Sequence, residues 1–116
     1  MKAIRSRDNP QVKALIKLAG SSRERRRTGT TLLEGEHLVR AYRDSGGVAE
    51  TILASESAFA KPEIRTFVET SPARARLVFS DAILERISQL ASAATGARPA
   101  ASRLACVPSA EASPQG

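Results

Sequence analysis

Apolar positions along the chain alternate between a helical spacing and short extended runs. In DNPQVKALIKLAG, residues 8–20, Val12, Leu15, Ile16 and Ala19 share one face of a helix with a period of about 3.6 residues. Asn9 is a good N-cap, Pro10 suits the first helical position and Gly20 is a natural stop, so the spacing predicts a helix there. TTLLEG, residues 30–35, is short, β-branched and apolar and reads as a strand. EHLVRAYRDSGG then sets Leu38, Val39 and Tyr42 at helical spacing before Gly46 and Gly47. The strand-then-helix unit recurs as ETILAS followed by a helix begun at Pro62, with Ile64, Phe67 and Val68 inward. It recurs again as RLVFS followed by a helix capped by Ser80, with Ile83, Leu84, Ile87 and Leu90 inward. Three β-α units in succession predict an α/β fold with a parallel or mostly parallel sheet covered by helices.

From Ala91 the pattern dissolves. Nine of the last 26 residues are alanine, with Pro99, Pro108 and Pro114 among serines and glycines, which is linker-like material. Within it, SRLACVP keeps Leu104, Ala105, Cys106 and Val107 together and is expected to add a fourth strand that closes the sheet. The expected organisation is one domain over residues 1–108 and a linker or disordered tail over 109–116. With 116 residues and 41% hydrophobic content there is material for one modest core. No run of about 18 apolar residues is present, so no membrane partner is expected. The start carries no apolar secretory segment and Cys106 is the single cysteine, which together point to a reducing cytoplasm. Flanked by apolar residues, Cys106 is expected to be a small buried hydrophobe.

The net charge of +6 changes the picture once it is located. Residues 1–27 hold nine lysines and arginines against Asp8 and Glu24; the remaining residues hold nine against ten acids. The excess charge therefore lies entirely at the N-terminal end, as expected where one face meets a polyanion. Its core is SSRERRRTG, read as a basic turn, with Arg23, Arg25, Arg26 and Arg27 beside the helical Lys13 and Lys17. Guanidinium groups form the fork that matches phosphate oxygens. Helix-turn-helix and zinc-finger spacings are absent. Tyr42, Phe59, Phe67 and Phe79 are too few to build a base-stacking platform, so backbone and shape recognition of structured RNA is favoured.

Acidic and nucleophilic candidates are sparse. His37 is the only histidine and cannot assemble a metal site with Glu34 and Glu36; Glu36 and His37 fit the first turn of a helix, where a carboxylate is favourable. Glu34, before Gly35 at a strand end, is placed either to orient the arginines or to serve a plain turn. No glycine-rich phosphate loop or nucleophile elbow is present, so neither catalytic nor metal-binding residues are assigned.

The segment IRSRDNPQVKALIKLAGSSRERRRTGTTLLEGEHLVRAY resembles the N-terminal RNA substrate-binding domain of the SpoU/TrmH RNA methyltransferases. The matching positions are Ile4, Ser6, Asn9, Pro10, Lys13, Arg25 to Arg27, Leu32, Leu33, Glu34 and Gly35, and the resemblance extends more loosely to residue 108. It implies a small three-layer α/β/α sandwich with a mostly parallel sheet, similar to kink-turn-binding ribosomal proteins. Such a domain presents ribosomal or transfer RNA to a separate methyltransferase domain that methylates a ribose 2′-hydroxyl. S-adenosylmethionine is then expected only on that other domain, and no cofactor on this chain. The family's catalytic residues have no matching positions here. The RNA-binding set expected on this basis is Arg5, Arg7, Asn9, Lys13, Lys17, Arg23, Arg25, Arg26, Arg27 and Glu34. The chain alone is expected to be monomeric, and the full-length protein a homodimer through the other domain. Two further readings stand beside this one: a stand-alone structured-RNA-binding protein of ribosomal-protein type, and a protein-interaction module whose basic arm meets an acidic partner.

Overall fold

The structure, a computed structural model, describes residues 3–95 and 104–108. The chain runs β1 (Ala3–Ile4), α1 (Pro10–Gly20), α2 (Ser22–Thr28), β2 (Leu33–Glu34), α3 (Glu36–Asp44), β3 (Ala49–Ser55), α4 (Glu56–Phe59), α5 (Pro62–Thr70), β4 (Ala73–Phe79), α6 (Asp81–Thr95) and β5 (Leu104–Pro108). The strands form one sheet in the order β1-β4-β3-β5-β2. β4 pairs in parallel with both β1 and β3, whereas β5 is antiparallel to its neighbours β3 and β2. Four strands therefore point the same way and β5 alone is reversed.

Strand alternation divides the core into two layers, because successive side chains of a strand point to opposite faces. Leu53, Ala105 and Val107 face α1 and α6 and pack with Val12, Leu15, Phe79 and Ile87. Ile52, Ala54, Leu104 and Cys106 face the other way, against Val39 of α3, Ala58 of α4, and Ile64 and Phe67 of α5. The result is the α/β/α sandwich. Its central strands read as uninterrupted apolar runs, ILA and LACV, because both faces are covered. Burial of Cys106 pushes its thiol up to about 11, as desolvation disfavours the thiolate.

Several sequence expectations change in three dimensions. SRLACVP does form a strand, but β5 does not close an edge; it inserts between β3 and β2 and makes the long central ladder from Ala49↔Pro108 to Ala54↔Leu104. TTLLEG shrinks to the two residues of β2, an edge strand paired with Cys106 and Ala105 of β5. The opposite edge, β1, carries no pattern of its own because it is two residues long and exists through pairing with Val78 and Phe79. Of the residues set at helical spacing in α3, Leu38 is 53% exposed while Val39 is buried, and Leu18 of α1 is buried as well. Helix α6 continues past Ala91 to Thr95, so the linker-like composition begins inside a helix; alanine is the strongest helix former, which explains the extension. The expected tail over residues 109–116 lies outside the described residues.

Candidate nucleic-acid interface

The basic segment is built on two consecutive helices. Asn9 begins α1, its Oδ1 accepting from the Gln11 amide at 2.8 Å, with Pro10 at the first position. The buried stripe Val12, Leu15, Leu18 and Ala19 turns Lys13 and Lys17 outward. What reads as a basic turn is instead the helix α2. Ser21 ends α1 and caps α2, accepting from the Glu24 amide at 3.1 Å, and Gly29 closes α2 in the left-handed region at φ 69°. Between those caps, arginine and glutamate are good helix formers, so the run winds up and distributes its arginines around an axis. A charge run that looks uniform in sequence thereby acquires an inner and an outer side.

Arg25 takes the inner side. Its Nη1 donates to the carbonyls of Leu18 at 2.8 Å and Ala19 at 3.0 Å, groups left without helical partners at the end of α1. Arg27 holds Glu24 in a bidentate pair, Nε to Oε1 at 3.0 Å and Nη2 to Oε2 at 2.6 Å, and Lys17 Nζ approaches the same carboxylate at 3.8 Å. The hydrogen bond from Arg27 holds the Glu24 carboxyl below its ordinary value. Arg5, just after β1, pairs with Glu56 at the start of α4. Arg7, Lys13, Arg23 and Arg26 remain: all four are exposed and make no ion pair or side-chain hydrogen bond among the described residues. The cations of the expected set lie on α1, α2 and the segment before them, and they sort into those with partners and those with none among the described residues.

Glu34 lies apart from that set at the end of β2. Gly35, at φ 103°, caps α3 and donates its amide to the Leu104 carbonyl at 2.9 Å. The Oε2 of Glu34 is buried without a hydrogen-bond partner among the described residues, and no arginine pairs with it there. Glu36 and His37 occupy the first turn of α3, where Glu36 pairs with Arg40 at 2.8 Å. Among the described residues no cluster of histidine, cysteine and carboxylates could hold a metal.

Two features were not legible in the sequence. A half-open cavity of about 360 Å³ is lined by residues of α1, α2 and the sheet. On the opposite face, Arg40 and Arg43 lie 4.6 and 4.3 Å from the centroid of the Phe67 ring. The i,i+3 spacing of Arg40 and Arg43 marks a shared helical face, but only packing places an aromatic ring from α5 beneath it.

The family described as the MRM3-like substrate binding domain matches residues 9–95. No curated protein sequence gives a match. Among solved structures, an RNA 2′-O ribose methyltransferase is similar with a TM-score of 0.69 at 22% identity, covering 99% of this chain and 40% of that one. The SpoU methyltransferase AviRb from Streptomyces viridochromogenes, solved in complex with the cofactor AdoMet, is similar at 0.66 and 16% identity, over 86% of this chain and 35% of its own. An rRNA methyltransferase from Sinorhizobium meliloti is similar at 0.64 and 17% identity, over 92% of this chain and 36% of its own. The chain spans well under half the length of each, and at these identities the likeness is one of fold.

Proposed function

The chain belongs to the MRM3-like substrate-binding domain family, and from that membership we propose that it is the RNA-gripping domain of a SpoU/TrmH-type 2′-O-ribose methyltransferase acting on ribosomal or transfer RNA in the cytoplasm. The observation that carries the proposal is that Arg7, Lys13, Arg23 and Arg26, on and beside the first two helices, are exposed and have no ion-pair partner among the described residues. A cationic surface with its charges unneutralised attracts the phosphate backbone and releases counterions on binding, which gives salt-dependent affinity. Arg5, Lys17 and Arg27 have acids as partners, and Asn9 and Arg25 hold the helices in place. Glu34 lies apart from these residues, at the end of β2 before α3.

Methylation itself would be carried by a part of the protein beyond this domain, together with S-adenosylmethionine and the homodimer contact. No step involving the cofactor is therefore assigned to this chain.

Fluorescence anisotropy with labelled ribosomal and transfer RNA fragments across a salt series tests the reading. Replacing Arg23 and Arg26 together by alanine is expected to weaken binding and to reduce the log-affinity against log-salt slope by about 0.7–0.9 for each phosphate no longer neutralised. Arg74, paired with Glu50 at 3.7 Å on β4, is the control. An equal loss from Arg74→Ala would mean diffuse charge attraction and no dedicated face.

A further inference from the structure

The cavity between α1, α2 and the sheet has an apolar floor and a polar rim. Leu15 and Leu18 come from α1, and Leu77 and Val107 from β4 and β5; Gln11, Thr28, Thr30, Thr51, Glu24 and Arg27 supply the polar groups. At about 360 Å³ it falls at the lower end of the range for small-ligand pockets, which are likewise mostly apolar with a few placed polar groups.

Arg27 decides what kind of ligand suits the opening. Both arms of its fork toward Glu24 are occupied and Glu24 is largely shielded, while Arg27 itself is 66% exposed at the mouth, so the bidentate pair orients the guanidinium and offsets its charge. It is therefore poorly suited to gripping phosphate, although sequence places it in the phosphate-binding run. What such a group still offers is a flat, weakly hydrated face, and guanidinium planes are surfaces on which unstacked nucleobases lie. Beside it on the same helix stand Arg23 and Arg26, exposed cations able to hold the phosphates flanking a base that has entered the cavity. Gln11 and Thr51 offer donors and acceptors to a base edge, whereas the Thr28 and Thr30 hydroxyls already donate to the Glu24 and Pro108 carbonyls and keep only acceptor lone pairs.

We propose that this cavity is a nucleobase pocket: one base of a single-stranded RNA segment leaves the stack and inserts between α1, α2 and the sheet, against the Arg27 guanidinium. The inference rests on the RNA-binding reading above and adds a base-dependent component to an otherwise phosphate-driven surface. Extruding a base from an unpaired segment costs less than from a duplex, so the pocket selects loops and single strands over continuous helices.

The test compares a short single-stranded oligoribonucleotide of mixed sequence with its abasic counterpart, which keeps every phosphate and lacks every base. Methyl-resolved NMR on the full chain is expected to show the intact strand shifting Leu15, Leu18, Leu77 and Val107, and the abasic strand leaving them unmoved. Ala14, exposed on α1 and lining the opening, permits a plug. Ala14→Phe is expected to weaken the intact strand by about tenfold, in the lower range for one base stacked on a side chain, and to leave abasic binding unchanged. If both strands bind alike with the methyls silent, the pocket is overturned while the phosphate-binding face stands. If neither strand nor structured RNA binds, the RNA reading fails and the pocket with it. The NMR comparison uses the native chain and does not depend on how the variant folds.

Discussion

The Nη1 of Arg25 reaches back seven residues to donate to the Leu18 carbonyl at 2.8 Å, tying the start of α2 to the end of α1. Its neighbour Arg26 is exposed and makes no such bond. Two adjacent arginines of one basic run therefore have opposite duties.

Arg25→Ala is expected to destabilise the fold by about 1.5–3 kcal/mol, the range for hydrogen bonds involving a charged partner. Arg26→Ala should stay within about 0.5 kcal/mol of the parent. Urea unfolding separates them: the Arg25 variant should lower the midpoint with an unchanged slope. For RNA affinity measured at fixed salt in the folded state, the larger loss should come from Arg26.

Asn9 is expected to act through helix α1. Removing the hydrogen bond from the Gln11 amide to Oδ1 in Asn9→Ala should cost about 1 kcal/mol, while Asn9→Ser, which retains a capping oxygen, should recover most of it. Thermal unfolding of the two variants checks this. If Asn9→Ala proved fully neutral, the cap would have no energetic weight.

At Gly47 the constraint is steric. A Cβ there would sit 2.4 Å from Cζ of Tyr42, whose hydroxyl donates to the Val48 carbonyl at 2.8 Å and so holds the ring in place. Gly47→Ala should therefore cost about 1–3 kcal/mol. In a Tyr42→Ala background the same change should cost little, and a double-mutant cycle in urea would measure the coupling between the two positions. Additive losses would mean that the ring moves aside freely.

Cys106 predicts an alkaline limit. Its folded thiol is raised to about 11 from an ordinary 9.0, so above 9.0 the unfolded chain gives up the proton while the folded chain keeps it. The stabilisation is fully present below 9.0 and declines as pH rises toward 11. Urea midpoints of the parent should fall more steeply across that interval than those of Cys106→Ala. Thiol-directed reagents should label Cys106 slowly in the native state and rapidly after unfolding.

The helices α1, α5 and α6 are legible because amphipathic spacing, the Asn9 and Ser80 caps and the prolines at positions 10 and 62 are local signals, satisfied within a few residues of where they are written. The N-terminal concentration of charge is legible for the same reason: it is a property of composition. The SpoU-type resemblance is carried by that same stretch, and the matching family covers residues 9–95.

The alternation of strands and helices, the apolar strips they bury and the end of the molecule that carries the cations all follow from the order of residues. Strand order arises only on folding, because β5 takes its central place through hydrogen bonds to β3 and β2, residues far away in the chain. The roles within the basic run are likewise set in three dimensions. Once Ser21 and Gly29 cap a helix, rotation about its axis sends Arg25 to the carbonyls of α1, sets Arg27 against Glu24 and leaves Arg23 and Arg26 to solvent. The cavity beneath Arg27 belongs to this second class, since its walls come from α1, α2, β3, β4 and β5 and no single segment records it.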